Sequence, residues 1–491
     1  MSYSVRVQSN TVRDPRRWWT LAVLCLATLV LAVDGTVLNL AIPTLVKDLG
    51  ATPSDIQWIL DSYVLVFAGL LLTSGSLSDR YGRRRMLIIG LVFFGGASGL
   101  AILVSEPWQL IGLRALMGVG GAILMPSTLS ILMTVFDADE RRKAMAAWGA
   151  VSMLGVVAGP TLGGLMLDTY GWSSVFLLNV PIAAVAIVAA VILMPESKAP
   201  ARPIDPVGVV LSIVGLTSAV YVIIEREWNI PVIALAVVTL AAFLIWERRS
   251  EHPMMPLELF RQRNFSGASF SILLMSFGAG AVMLMLTQYL QFVLGYGVMK
   301  AGLALLPYVI AAAVFNGLGA GLGQKVSNRA LISGGLLVMA VGFVVLALTT
   351  GYAPLVTSLI IMGIGGGLAG PSAYATLMGA IPLEHAGVGS AMNDTVQQVG
   401  MALSIAVLGS VLAGVFTSNM PADAPEAARA SIGEALKAAD LVEPARTAFT
   451  DAMHVGSWVG AAFCVAAAVL ALSVLRSQPA VPRPAVEVPT A

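Results

Sequence analysis

The sequence contains little charge. Only 11% of its 491 residues are Asp, Glu, Lys or Arg, whereas soluble domains carry about 25%, and 57% are hydrophobic. The 28 basic and 27 acidic residues are too few to cover a chain of this length with a water-facing surface. A soluble fold is therefore excluded, and most of the outer surface is expected to face lipid.

Other chemical features are scarce or absent. A formal net charge of +1 gives no basic field for nucleic acid, so we expect no nucleic-acid partner. The two cysteines, Cys25 and Cys464, are too few for a disulfide framework or a zinc site. No lysine follows a glycine, which excludes the phosphate-binding loop of ATP-driven pumps. HExxH, CxxC and GxSxG motifs are also absent, so the sequence predicts no enzyme, cofactor or metal site.

Long apolar stretches are abundant. Fourteen of them have about the 20 residues that cross a hydrocarbon layer of ~30 Å. They lie near residues 18–42, 56–77, 86–104, 108–130, 145–167, 173–194, 207–225, 230–247, 266–292, 302–323, 331–350, 354–380, 387–416 and 454–475. The first is too long for a signal peptide and is predicted to be a retained span. With both termini cytoplasmic, 21 of the 28 basic residues fall on the cytoplasmic side, as the positive-inside rule requires.

The connecting segments group these spans as six, two and six. Proline-containing or charged linkers at 195–206 and 247–264 separate the groups. The predicted domains are a six-helix bundle at 1–200, two extra spans with their linker at 201–262, a second six-helix bundle at 263–476 and a cytoplasmic tail at 477–491. Within the second bundle, the polar segment 417–453 is predicted to be an extracellular loop with one or two short surface helices.

Four ionisable residues lie inside the predicted spans. They are Asp34, Asp61, Arg114 and Asp394, in spans 1, 2, 4 and 13. Such a residue costs about 2.5–3.5 kcal/mol on insertion scales and usually faces an internal cavity. Two simpler explanations stay open: Asp61 and Asp394 are hydrated near a membrane face, or Asp34 and Arg114 form an ion pair that only holds helices together.

The four residues suit a proton-coupled carrier. Burial disfavours the charged form of a carboxylate, so a shielded acid holds a proton near neutral pH and releases it when a cation approaches. A proton and a cationic substrate that compete for these acids expel each other, and alternating exposure then drives export. The predicted substrate-binding set is Asp34, Trp58, Asp61, Tyr63, Trp148, Gln288, Tyr289, Asn316, Asn393, Asp394 and Gln397, with Gln291, Tyr374 and Gln398 nearby. Trp and Tyr offer π faces to a cation, although at span ends they also serve as interfacial anchors.

A specific motif follows the second span. The chain reads Gly75-Ser-Leu-Ser-Asp79-Arg80-Tyr-Gly82-Arg83-Arg84-Arg85. Asp79 is placed to pair with the arginines and with a neighbouring helix terminus, Gly82 permits a tight turn, and Gly75 lets a partner helix approach. The segment resembles the cytoplasmic loop signature of the major facilitator superfamily, and the resemblance implies a gating role for Gly75, Asp79, Arg80, Gly82, Arg83 and Arg84.

Further segments resemble the fourteen-span drug:proton antiporters of that superfamily. Residues 31–43, around Asp34, are similar to their first-span signature, and residues 58–65, around Asp61, match their second span. Gly155-x-x-x-Gly159-Pro160-x-x-Gly163-Gly164 in span 5 resembles the antiporter motif of exporters, which implies that these five residues contribute to gating and that the helix bends at the proline. Arg114 occupies the position of an arginine implicated in proton transfer. Residues 319–329 form a weaker copy of the Asp79 motif that lacks the acid.

The resemblance implies an all-α membrane protein with the major facilitator fold of two six-helix bundles plus two extra helices. We expect a monomeric, proton-driven exporter of lipophilic cations or amphiphilic drugs in the inner (cytoplasmic) membrane, of the multidrug and quaternary-ammonium type. Span 10 has Ala311–Ala313 where some multidrug members carry an acid, so divalent cations are not expected as substrates. The alternatives are a narrow exporter of one natural product or lipid, and a non-transporting membrane sensor.

Overall fold

The computed structural model describes residues 15–198, 205–225, 229–250, 253, 257–323, 325–382 and 385–475, and the domain limits predicted inside 1–14, 199–204 and 476–491 lie outside them. The described part is helical and contains no strand. Its helices are α1 (Arg17–Leu49), α2 (Pro53–Tyr81), α3 (Arg83–Leu100), α4 (Pro107–Val135), α5 (Ala138–Tyr170), α6 (Ser174–Leu177), α7 (Asn179–Leu193), α8 (Pro206–Glu225), α9 (Ile230–Arg249), α10 (Arg263–Gln288), α11 (Val298–Ala304), α12 (Leu306–Leu322), α13 (Asn328–Leu348), α14 (Tyr352–Gly379), α15 (Ala386–Asn419), α16 (Glu426–Ala430), α17 (Ile432–Ala435) and α18 (Val442–Val474). A π-helical turn, Tyr289–Val293, continues α10.

Every predicted apolar stretch is helical. Among the described residues, eleven helices are long and apolar enough to cross a membrane, and 206–222 and 306–322 are shorter apolar helices. The count of fourteen crossings, with cytoplasmic termini, stays a prediction.

Local sequence explains where several helices begin and end. Thr52 and Asp55 form a capping box at the start of α2, with Pro53 in the first turn, where its missing N–H costs nothing. The same helix ends at Gly82, whose φ of +110° favours glycine. The α5 helix begins after Asp137, whose side chain accepts a hydrogen bond from the Glu140 backbone N–H.

Three predicted boundaries differ from the structure. Predicted span 6 is two helices, α6 and α7, which meet at Leu178. Predicted span 10 is also divided, between α11 and α12, and Pro307 lies in the first turn of α12. The predicted loop 417–453 is shorter than expected, since α15 extends to Asn419 and α18 begins at Val442; it holds two short helices, α16 and α17.

The helices pack as two groups joined at their facing sides. In the first group α1 lies along α5, α2 along α4, and α3 against α4 and α7. In the second, α14 contacts α12 and α13, and α10 contacts α15 and α18. The groups meet where α2 and α4 contact α15 and where α5 contacts α12. The two extra helices lie outside this core, because α8 packs on α9 and α2.

Candidate functional site

Asp34 lies at the centre of the first group, where it is bound on both carboxylate oxygens. Its Oδ2 accepts a hydrogen bond from Arg114 Nη1 at 2.6 Å, and its Oδ1 accepts one from Asn179 Nδ2 at 3.1 Å. Only 1% of Asp34 is exposed. The ion pair left open by the sequence is therefore present, and it joins α1 to α4.

Arg114 has further partners that fix its guanidinium group. Its Nε donates to the Ile59 carbonyl at 3.2 Å, and its guanidinium carbon lies 4.4 Å from the ring centroid of Tyr63. The Tyr63 ring in turn stacks on Phe67, with centroids 5.7 Å apart. The arginine is thus held by a carboxylate, a carbonyl and an aromatic face, which compensates for its burial.

Asn179 is a member of this centre that the sequence-based site did not include. It is the first residue of α7, directly after the break at Leu178, and it is fully buried. Besides its bond to Asp34, its Nδ2 donates to Ser98 Oγ at 3.0 Å, and Ser98 Oγ donates to the Phe176 carbonyl at 2.9 Å. A buried amide in a span was the available signal, because such a group requires partners.

Asp394 forms a second centre, on α15, with a different character. It is 3% exposed. Its Oδ1 accepts one hydrogen bond, at 3.0 Å, from Asn393 Nδ2 of the preceding residue. Its Oδ2 and the Asn393 Oδ1 are buried and have no hydrogen-bond partner in the described part of the chain. Because a charge without a partner is costly at this depth, the site is suited to a group that arrives from outside: a proton or a cationic ligand.

Two further predicted residues lie on α15 and on α12. Gln397, one turn further along α15, accepts a hydrogen bond from Tyr374 OH of α14 at 3.2 Å. Asn316 of α12 lies beside Gly370 of α14, where a Cβ on that glycine would be 3.7 Å from Asn316 Oδ1. These polar groups are contributed by α12, α14 and α15 of the second group.

The interface between α5 and α12 holds another predicted residue. A Cβ on Gly149 would lie 3.2 Å from Asn316 Nδ2, so the two helices approach closely there. Trp148 on α5 is buried, and its Nε1 has no hydrogen-bond partner within the described ranges. Asn316 therefore places a polar group where the first group of helices meets the second, and Trp148 is a buried neighbour of Gly149 on α5.

The remaining predicted substrate residues lie on α2 and at the end of α10. Trp58 is 40% exposed near the start of α2, and Asp61 lies one turn further along, partly buried. Tyr289 is packed in the core of the second group, where its hydroxyl accepts a hydrogen bond from the Gly351 N–H at 3.0 Å; Gln288 precedes it. Their predicted roles in binding stay predictions.

Asp79 binds the N-terminus of α15 across the two groups of helices. Its carboxylate accepts hydrogen bonds from the backbone N–H groups of Gly387, at 2.9 Å, and Val388, at 3.1 Å. Arg83 donates to the same carboxylate from Nε and Nη2, at 3.0 and 2.7 Å. A negative charge at a helix N-terminus satisfies N–H groups that have no partner within the helix and interacts favourably with the helix dipole. We call this contact the Asp79 latch.

Gly75 lets the two groups approach at the Asp79 latch. A Cβ there would lie 2.5 Å from the Gly387 carbonyl oxygen and 2.7 Å from Ala391 Cβ, so a larger residue requires the helices to move apart. The close approach predicted for this glycine is present, between α2 and α15.

A second residue that the sequence did not indicate is Glu196, in the linker after α7. Its carboxylate accepts hydrogen bonds from the backbone N–H groups of Arg84 and Arg85, at 3.1 and 3.2 Å, and so caps α3. A Cβ on Gly82 would lie 2.8 Å from this carboxyl group. Gly82 is therefore required both by its positive φ and by Glu196. Arg80, also in the predicted gate, lies with its guanidinium carbon 5.5 Å from the Tyr81 ring centroid.

The second, acid-free copy of the motif has a different cross-group contact. Arg142 of α5 donates from Nη2 to Asn328 Oδ1 at 2.9 Å, and Asn328 Nδ2 donates to Thr376 Oγ1 at 2.8 Å. Burial lowers the pKa of the Arg142 guanidinium from its usual range. We call this contact the Arg142 latch; it joins α5 to α13 and α14. It consists of an arginine and an amide, whereas the Asp79 latch is built on a carboxylate.

The glycines of the span 5 motif lie along α1. A Cβ on Gly155 would be 2.7 Å from Ala32 Cβ, and one on Gly159 would collide with Thr36 Oγ1. Gly163 is buried in the same helix. The helix continues through Pro160 and Gly164, whose side-chain surroundings lie outside the described part, so the bend predicted at the proline is not tested.

Known proteins resemble this chain in sequence and in fold. A family profile of the Major Facilitator Superfamily matches residues 24–405. The multidrug efflux pump LfrA of Mycolicibacterium smegmatis is 33% identical over 495 residues, covering 95% of this chain and 98% of that protein. The probable actinorhodin transporter of Streptomyces coelicolor is 34% identical over 438 residues, with 84% and 75% covered. The crystal structure of the human organic anion transporter MFSD10 (TETRAN) superposes with a TM-score of 0.65 at 14% identity, covering 93% of this chain and 100% of that one.

The chain belongs to the Major Facilitator Superfamily. It is a multi-pass membrane transporter of small molecules rather than an enzyme, and its relatives include multidrug efflux proteins. The likeness to the human transporter supports the fold alone.

Proposed function

We propose that this chain is a proton-coupled antiporter that exports lipophilic cations or amphiphilic drugs across the inner membrane of a bacterium. In this proposal fourteen helices cross the membrane, both termini and the Asp79 latch lie in the cytoplasm, and one chain transports alone. Substrate and protons compete for the intramembrane carboxylates.

The observation that carries the proposal is the state of Asp394. Its carboxyl group is buried, and Oδ2 has no hydrogen-bond partner in the described ranges. A protonated acid is stable in such a place, and so is a carboxylate beside a positively charged substrate; an empty, charged carboxylate is not. The two favourable states exclude each other, which is the requirement for exchange of a proton and a cation.

The surroundings of Asp394 favour an amphiphilic cation over a small inorganic one. Asn393 and Gln397 supply amide groups on the same helix, and Tyr374 supplies an aromatic ring and a hydroxyl. No group of three or more acidic, histidine or cysteine side chains that would hold a metal ion occurs among the described residues. One carboxylate with amides and aromatic rings suits a single diffuse positive charge.

The experiment uses the purified chain in liposomes that contain ethidium, with a pH step of either sign. The wild-type chain should move ethidium in the direction opposite to the proton flow that the pH step drives. A protonophore should abolish this movement. Asp394→Asn should lose at least about 90% of the coupled flux, since the exchanged charge is gone. Asp423→Asn removes an exposed acid and is the matched control, with flux unchanged.

Two results would count against the proposal in different ways. Wild-type liposomes without pH-dependent movement of any cation would remove the antiport mechanism. Full coupled flux in Asp394→Asn would leave the mechanism standing and remove Asp394 from it.

The similarity to a probable actinorhodin transporter favours a second candidate, a narrow exporter of one amphiphilic natural product. A susceptibility panel of cationic, neutral and anionic drugs in cells that express the chain separates the two. Protection against many unrelated cations supports the first candidate, and protection confined to one chemical class supports the second.

A further inference from the structure

The amide of Asn179 connects Asp34 to a break between two helices through consecutive hydrogen bonds. Asn179 Nδ2 donates to Asp34 Oδ1 at 3.1 Å and to Ser98 Oγ at 3.0 Å. Ser98 Oγ donates onward to the Phe176 carbonyl at 2.9 Å. Phe176 lies in α6 and Asn179 begins α7, so these two members of the series lie on either side of Leu178.

The other polar atom of this amide, Oδ1, has no hydrogen-bond partner in the described part of the chain. Asn179 is 0% exposed, and its Oδ1 makes no hydrogen bond to any described residue. A buried acceptor without a partner is costly and rare in folded proteins. An amide presents a donor and an acceptor at nearly the same positions after a half-turn about its last side-chain torsion, so it can serve either protonation state of a neighbouring carboxyl group.

We propose that Asn179 is a positioning residue of the proton-coupling step, which exchanges its donor for its acceptor when Asp34 takes up a proton. The inference rests on the proposed antiport. In the present state Nδ2 holds Asp34 as a carboxylate. When a proton from water binds Asp34, water loses that proton, the carboxyl O–H becomes a donor, and the amide turns so that Oδ1 accepts it.

The same turn changes the contact with Ser98. Oδ1 then occupies the place of Nδ2 and is an acceptor for the Ser98 hydroxyl, which leaves the Phe176 carbonyl. A carbonyl at the end of α6 is released, next to the junction with α7 at Leu178. Protonation of Asp34 on α1 is in this way communicated to the junction between α6 and α7.

The groups that face Asp34 are few. From α4 it faces Arg114, and from α2 it faces Tyr63, whose ring lies under the guanidinium. The α6 and α7 helices contain no titratable residue, and those of α5 lie at its two ends. A pH response at this centre therefore belongs to Asp34, with Arg114 as the fixed opposite charge.

The test has a spectroscopic part that needs no variant of Asn179. Infrared difference spectra of the wild-type chain in liposomes are recorded between high and low pH. We expect a side-chain amide C=O band that shifts to lower frequency on acidification, because Oδ1 gains hydrogen bonds. The shift should be absent in Asp34→Asn, and in Asn179→Leu the band itself should be missing.

The second part is the pH profile of coupled ethidium flux. Asn179→Leu removes a hydrogen bond to Asp34 in both of its protonation states. The bond to the charged carboxylate is the stronger one, so the charged form loses more. We expect the half-maximal pH to rise by about 0.5–1 unit, a three- to tenfold change in proton affinity. Ser98→Ala is the matched control: it removes a partner of the same amide but none of Asp34, so flux falls while the half-maximal pH stays.

The outcomes distinguish this inference from the proposed function. Absence of proton-coupled flux in the wild-type chain would refute the antiport. If the wild-type chain shows coupled flux but no shift of the amide band, the turn of the Asn179 amide is refuted and the antiport is not. The same holds if Asp34→Asn shows the same shift. Equal pH profiles of Asn179→Leu, Ser98→Ala and the wild-type chain would show that Asn179 only packs the break.

Discussion

The two halves of the molecule treat a buried acid in opposite ways. In the first half, Asp34 has both oxygens bound, by Arg114 on one side and by Asn179 on the other. In the second half, Asp394 has one bond from its chain neighbour and an oxygen without a partner among the described residues. The comparison teaches that depth alone does not assign a role: both acids are buried, but the Asp34 carboxylate has partners on two other helices, whereas Asp394 has an oxygen without a partner in the described part of the chain.

The same contrast occurs where the two groups of helices meet. The Asp79 latch of the first half uses a carboxylate with hydrogen bonds from two backbone N–H groups and from Arg83. The Arg142 latch, at the second copy of the motif, uses one hydrogen bond from an arginine of α5 to an amide of α13. The two groups of helices are therefore joined by unequal contacts.

The largest expected effect separates the two buried acids by stability. Asp34→Asn leaves Arg114 as a buried charge without its counterion and should lower the free energy of unfolding by about 3–5 kcal/mol. Asp394→Asn keeps the shape of a carboxyl group that has no counterion among the described residues, so stability should change by less than about 1 kcal/mol. Thermal unfolding in detergent measures both.

A double variant completes this test. Asp34→Asn combined with Arg114→Leu removes both charges and should recover a large part of the lost stability, because no buried charge is left over. Equal losses for Asp34→Asn and Asp394→Asn would break the comparison, since they would mean that Asp394 has an equally strong partner.

An intermediate effect is expected at the latches. Asp79→Asn loses charge-assisted bonds to α15 and Arg83 and should weaken the closed contact by about 2 kcal/mol, roughly thirtyfold in population. Arg142→Gln keeps hydrogen-bonding capacity and should weaken it by about 0.5–1 kcal/mol. Distances between spin labels on α2 and α15, and on α5 and α13, report the two contacts separately.

The critical result is which variant, Asp79→Asn or Arg142→Gln, weakens its latch more. A larger opening in Arg142→Gln than in Asp79→Asn would reverse the comparison. Arg85→Gln, an exposed arginine outside both latches, is the control and should leave both distance distributions unchanged.

Local patterns in the sequence were enough to predict the helices. Apolar runs are properties of neighbouring residues, and each predicted stretch is helical in the structure. The ion pair of Asp34 with Arg114 was one of the open explanations, because few charges exist in the spans to pair with each other. The break at Leu178 and the early start of α18 at Val442 were not predicted, since both depend on packing rather than on hydropathy.

The partners across long sequence distances could not be found in this way. Asn179 is 145 residues from Asp34, and Gly387 is 308 residues from Asp79. A single sequence shows that an acid needs a partner but not which distant amide or backbone N–H supplies it. Glu196 illustrates the same limit, because it lies in a linker that hydropathy marks only as a boundary.

The smallest expected effect concerns Glu196. It tests whether this acid binds the start of α3 independently of the Asp79 latch. Glu196→Gln keeps one acceptor oxygen, for one of the Arg84 and Arg85 N–H groups, but loses the second acceptor and the charge at the start of α3. Since its side chain is 26% exposed, we expect a loss of only about 0.5–1 kcal/mol.

The effect on the Asp79 latch should be indirect and smaller still. Glu258→Gln, an exposed acid in the second linker, is the matched control with no change in stability. If Glu196→Gln opened the α2–α15 contact as far as Asp79→Asn does, the latch would depend on the linker. Two acids of the first half would then act as one unit, instead of each binding its own helix terminus.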